Sequence, residues 1–199
     1  MGTPETRARI VASARVVFTA RGIGPSTVQH VLDEAGVSRR TFYQYFKSKE
    51  EVLSAVYDEV IGDMVRAVDQ RVRRAEDPVE KVTAGVDAWL DHQLDGGALF
   101  VALQSEAVRP DSLLFARRET AIDGLVAAID AAVVEGGASS VDPLVFRGLV
   151  IGIEGLVLHL SQHDVDRSRL RRVANALMFA VMSNLAELPS PPRVRGEVA

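Results

Sequence analysis

Arg39, Arg40, Tyr43 and Gln44 fall on one face when successive residues are set 100° apart, and the chemistry open to such a face is the reading of a nucleic-acid groove. An arginine fork can pair bidentately with guanine, and a glutamine amide with adenine. Phe42 and Phe46 fall on the opposite side, where they would pack on neighbouring helices. Ser26, Thr27 and Ser38 stand where helices should begin, and backbone amides at such ends favour phosphate oxygens. Lys47 and Lys49 are spaced to touch the flanking backbone. Each has a plainer reading taken singly: Ser26 and Ser38 as simple caps, Tyr43 and Tyr45 as packing groups, Arg39-Arg40 as a solvated face. Their concentration between Ser26 and Glu51 is what points to a polyanion.

Other chemistries have less to stand on. There is no cysteine, which removes disulfides, thiolate metal sites and cysteine nucleophiles together. His159 and His163 sit at i, i+4, a spacing able to hold a metal, but Leu160, Ser161 and Gln162 between them supply no carboxylate. No Gly-x-Ser-x-Gly, phosphate loop or dinucleotide fingerprint occurs. The expectation is therefore no metal, no cofactor and no enzyme.

The elements that would position the polar face are helical throughout. Ile10, Val11, Ala14, Val17 and Phe18 make the stripe of a first helix, opened by Thr3-Pro4 and closed by Gly22. Ser26 with Gln29 reads as a capping box for a second helix, whose buried face is Val28, Val31, Leu32 and Ala35. Gly36 is a natural left-handed stop, and Ser38 caps a short third helix to about Tyr45. A glycine turn of this length between short helices is the helix-turn-helix signature. Ser48 with Glu51 opens a long fourth helix to about Arg74. Five more follow, over about 77–94, 98–108, 112–135, 142–163 and 166–188. The fold class is all-α: a three-helix helix-turn-helix head over residues 1–47, a larger helical body over 48–188 and a proline-rich, disordered tail over 189–199.

Charge divides along the same line. The net charge is −4, yet residues 1–50 hold 8 basic and 4 acidic side chains (+4), and the remainder 15 and 23 (−8). Phosphate attraction is screened over roughly 8–10 Å, so the local sign decides. The longest run without a charged residue, Val173 to Ala186, has 14 residues, short of the ~20 that span a bilayer. With charge from Glu5 to Arg15 and no apolar leader, the expectation is a cytoplasmic chain with no membrane partner.

Gly22-x4-Thr27-Val28 followed by Ala35-Gly36-Val37-Ser38-Arg39-Arg40-Thr41-Phe42-Tyr43-Gln44-Tyr45-Phe46-Lys47-Ser48-Lys49-Glu50 resembles the N-terminal region of TetR-type transcriptional regulators, over about residues 7–57. The resemblance implies an all-helical homodimer that binds a palindromic double-stranded DNA operator and answers to a small-molecule effector, most often as a repressor. It further implies DNA contacts at Ser26, Thr27, Arg39, Arg40, Thr41, Tyr43, Gln44, Tyr45 and Lys49. Arg40 stands where the family often has glycine, adding a charge near the groove. His30 replaces a residue that is commonly acidic or polar, and no role is assigned to it.

Beyond about residue 60 the resemblance is architectural. A ligand pocket is implied by it, with Trp89, Gln93, Phe100, Leu103, Gln104, Phe115, Glu119 and Ile122 as candidates, apolar walls with a few polar groups. Ordinary core is the alternative for each. The last two long helices are apolar around most of their circumference, so they are buried in a core or at an interface. A dimer interface would use Gly148, Leu149, Gly152, Ile153, Leu156 and Leu160 with Leu177, Val181 and Asn184. Glu154 reads as a buried anchor or an interface group. A helical interaction module that binds protein, or a helical enzyme, is the rival to the regulator.

Overall fold

The computed structural model describes residues 3–161 and 166–191, and within them nine α-helices and no strand. The helices are α1 (Pro4–Arg21), α2 (Val28–Ala35), α3 (Arg39–Tyr43), α4 (Lys49–Val72), α5 (Pro78–Asp95), α6 (Gly97–Ala107), α7 (Phe115–Glu135), α8 (Pro143–Ser161) and α9 (Arg167–Met182). A 3-10 turn, Leu185–Glu187, follows α9. The all-α expectation holds, with most ends within a few residues of their predicted places. His163 and the end of the expected tail lie outside the described residues.

Side-chain caps set these ends. Thr3 accepts from the Thr6 amide with Pro4 at the first helical position. Ser38 Oγ accepts from the Thr41 amide at 3.1 Å. Ser48 Oγ accepts from the Glu51 amide at 3.2 Å, while the Glu51 carboxylate accepts from the Lys47 amide at 2.7 Å. At the head of α5 Asp77 Oδ1 likewise accepts from the Glu80 amide at 2.8 Å, while the Glu80 carboxylate accepts from the Glu76 amide at 2.9 Å. Gly36 closes α2 at φ +60°, the left-handed value that a side chain disfavours. Asp166 caps α9 through the Ser168 amide and hydroxyl, which hold its carboxyl below the ordinary range. That contribution is complete above the unfolded pKa of an aspartate and is lost as pH falls through the lowered folded one.

One start differs from the sequence reading. The cap of α2 is Thr27, not Ser26, and its reciprocal partner is His30, not Gln29. Thr27 Oγ1 accepts from the His30 amide and His30 Nδ1 accepts from the Thr27 amide, both at 3.3 Å. Ser26 is buried and donates to the Gly22 carbonyl at 2.5 Å, so its hydroxyl closes the preceding turn. His30, left without a role above, thereby has one.

The chain divides into two compact units, Met1–Met64 with Asp95–Arg118, and Val65–Leu94 with Glu119–Ala199. The first is built on Ile10, Ala14 and Phe18 of α1, Val31 and Leu32 of α2, and Phe42, all buried. Phe100 and Leu103 of α6 belong to the same core, so this unit extends past the 47/48 boundary drawn from sequence. In the second unit α8 buries Phe146, Val150, Ile153 and Val157, spaced i, i+4, i+7 and i+11. Arg147 pairs with Glu119 and Asp123 of α7. By length and composition Pro143–Leu160 is apolar enough to cross a membrane, although 28% of it is buried and it contains Arg147 and Glu154. Counting only uncharged runs overlooked it. The Asp142 amide donates to the Pro189 carbonyl at 2.8 Å, so the expected tail is bonded back to the start of α8 at its first residue.

Candidate nucleic-acid interface

The reading helix is short, and its geometry depends on what lies beneath it. Phe42 has no exposed surface and meets Tyr43 edge-on at 5.4 Å between ring centroids and Phe46 at 5.9 Å. With that ring fixed inward, the helical period turns Arg39, Arg40, Tyr43 and Gln44 to solvent; Tyr43 is 49% exposed. Arg39 is held as well as exposed. Its Nη2 donates to Gln29 Oε1 at 3.0 Å, and Gln29 Nε2 donates to Asp33 Oδ1 at 2.7 Å, so α2 orients the guanidinium through a relay of two bonds.

Of the other candidates, Thr27, Ser38 and Lys47 are exposed, whereas Thr41, Tyr45 and Lys49 are half-buried. Ser26 is removed from the outward set by its burial. Thr41 shares its hydroxyl with Ser38 at 2.8 Å. Tyr45 donates to the Thr3 carbonyl at 3.0 Å, tying the end of α3 to the start of α1. The Lys49 ammonium donates to the carbonyls of Ile23 and Gly24 at 3.1 and 3.4 Å. Two residues were not foreseen. Gln29 braces Arg39, and Arg7 lies over the Phe46 ring at 5.1 Å from its centroid. Neither contact has a signature in the spacing of the chain.

In the second unit a cavity of about 90 Å³ is lined by Val68 and Val72 of α4, Lys81, Val82, Gly85, Val86 and Trp89 of α5, Leu125, Ala128, Ile129 and Ala132 of α7, Val150 and Ile153 of α8, and Met178 of α9. Of the eight pocket candidates only Trp89 lines it. Phe100 and Leu103 are buried in the core of the first unit, and Gln104 and Phe115 also lie in that unit. Glu119 is paired with Arg147, and Ile122 is buried away from the lining. Ile153, expected at an interface, faces inward and is 1% exposed. Gly148, Gly152, Leu177 and Asn184 are exposed, and Leu149, Leu156, Leu160 and Val181 half-buried.

Gln93 is 3% exposed, and neither its Nε2 nor its Oε1 has a hydrogen-bond partner among the described residues. A buried amide in that state carries an uncompensated desolvation cost. Gln93→Leu is expected to raise the unfolding free energy by about 1–3 kcal/mol, read from the denaturant midpoint. A lowered midpoint would contradict the orphaned amide.

This head is a helix-turn-helix, and known proteins resemble it. Residues 10–56 match the model of the family described as bacterial regulatory proteins, tetR family. Over 87 residues the chain is 33% identical to the HTH-type transcriptional activator FasR of Mycolicibacterium smegmatis, covering 44% of this chain and 40% of that one. Over 135 residues it is 30% identical to the HTH-type transcriptional regulator TcmR of Streptomyces glaucescens, covering 64% and 59%. The chain thus matches less than two thirds of either relative's length. The fold extends further than the sequence likeness. A TetR-family transcriptional regulator from Streptomyces coelicolor superposes with a TM-score of 0.74 over 92% of both chains at 19% identity. Such relatives are named as regulators, not enzymes.

Proposed function

We propose that this chain is a ligand-responsive, DNA-binding transcriptional regulator, acting in the cytoplasm as a homodimer on a palindromic operator and released by a small-molecule effector. The observation that carries the reading is the outward set Arg39, Arg40, Tyr43 and Gln44 above a fully buried Phe42, in a tetR-family head. These groups match base edges of the major groove, with Thr27, Ser38 and Lys47 beside them for phosphates. Residues 1–47 carry recognition in this reading, and 48–188 carry the effector and the second copy.

Dimerisation is supported by the outer faces of α8 and α9. A Cβ added at Gly148, Gly152 or Gly155 would meet nothing within 4 Å, and Ile151, Leu177 and Phe179 are 39%, 41% and 70% exposed. On α8 Gly148, Ile151, Gly152 and Gly155 share one face, and small and apolar groups left open in that way suit close approach of a partner helix. Two heads must stand about 34–36 Å apart to enter successive major grooves. Val68 and Val72 of α4 line the cavity, and the same helix begins at Lys49. An effector that moves α4 would change that spacing, and a coupling of about 1–3 kcal/mol would weaken operator binding roughly 5–150-fold.

The test is selection from a mixed duplex library at moderate salt, with sedimentation of the same protein. A two-fold symmetric site is expected, with a mass of about twice 21.5 kDa. No enriched sequence would leave the interaction module as the better reading, and a monomer would overturn the two-helix interface.

A further inference from the structure

We infer that the cavity of the second unit is a site for a small amphipathic monoanion, a carboxylate on a short alkyl chain, with Lys81 as its specificity-determining cation. The inference deepens the effector site of the proposed regulator and rests on that reading for its regulatory meaning, though not for the binding itself. The cavity walls come from five helices, and Lys81 is the only lining side chain with a charge. An apolar cavity of roughly 150 Å³ admits benzene, so about 90 Å³ sets a scale of a few carbons.

What distinguishes Lys81 from a surface lysine is its position and its partner. Its side chain is 23% exposed, and its ammonium donates to Glu135 Oε1 at 2.7 Å. Glu135 is 62% exposed and is the last residue of α7, where the helix dipole disfavours an anion. The cation is therefore fixed in the cavity wall, whereas its counter-ion lies mostly in water at an unfavourable helix end. Exposed pairs of this sort hold weakly, and a carboxylate with an apolar tail can replace Glu135 while gaining burial that Glu135 cannot.

On α5 Lys81, Gly85 and Trp89 succeed one another at four-residue intervals, about 12 Å from first to last along the axis. Gly85, between them, lets α4 approach closely: a Cβ there would meet Val72 Cγ2 at 3.2 Å, so Val72 forms the wall at that point. Lys81 and Trp89, the sole tryptophan of the protein, line the same cavity, so a chain whose carboxylate sits on Lys81 shares its apolar space with Trp89.

Trp89 makes the test direct. Butanoate, butanol and butylamine are titrated into the full-length, DNA-free protein, with Trp89 emission and calorimetric heat as readouts. Butanoate is expected to bind at least about tenfold more tightly than butanol and to weaken with added salt. Lys81→Met, which keeps the stem and removes the charge, should abolish that preference, with far-ultraviolet circular dichroism confirming that the variant is folded. Equal binding of butanoate and butanol to the wild type, tighter binding of butylamine, or no response to any of the three would overturn the assignment. Because no DNA is present, failure here is distinct from failure to select a duplex site.

Discussion

Phe42→Ala should destabilise the first unit by about 3–5 kcal/mol, the range for emptying a fully buried aromatic position. The ring has 0% exposure and supports both Tyr43 and Phe46 through its faces and edge. A denaturant titration followed by circular dichroism measures the loss, and Phe42→Leu, which refills part of the volume, should recover much of it. Because Phe42 is also the floor of the reading helix, duplex binding should fall with Phe42→Ala at temperatures where the protein is still folded. A loss below about 1 kcal/mol would mean that the ring is not the support described.

Arg39→Ala has the second large effect, on recognition. On the selected duplex it should lose about 1–3 kcal/mol, or roughly 5–150-fold in affinity, with relaxed preference at one base position. The Gln29 bond sharpens this expectation. A guanidinium pre-oriented by Oε1 at 3.0 Å has less rotamer freedom to lose on binding, so Gln29→Ala should shift affinity in the same direction by a smaller factor. Equal losses on every sequence would show Arg39 to be a phosphate contact, and no loss at all would remove it from the groove.

The helices were legible because their signals are local. Thr3, Ser38, Ser48, Asp77 and Asp166 announce their ends by acceptors placed two or three residues before the amides they serve. The outward face of α3 was legible for the same reason, since Phe42 and Phe46 fix the inner side. The cap of α2 was not. Ser26 and Thr27 are equivalent by local rules, and the choice is made by the Gly22 carbonyl, which takes the Ser26 hydroxyl. The lining of the cavity was illegible on a different ground. Periodicity tells that Phe100 and Leu103 are buried, but not that they complete the core holding Phe18 and Phe42. In α8, apolar on most sides, two stripes compete, and Ile153 lies on both. Gln29 and Arg7 act through partners distant in sequence, where no spacing rule reaches.

The two carbonyl bonds of Lys49 have a mechanical meaning. They tie the first residue of α4 to the turn at Ile23 and Gly24, while further along Val52, Val56 and Val60 are buried in the core of the first unit. One residue's worth of screw motion is about 100°, and α4 could not make it without turning those buried side chains out of the core. Within the first unit the helix is keyed to its surroundings like a shaft in a collar, so torque applied to it turns the collar rather than slipping inside.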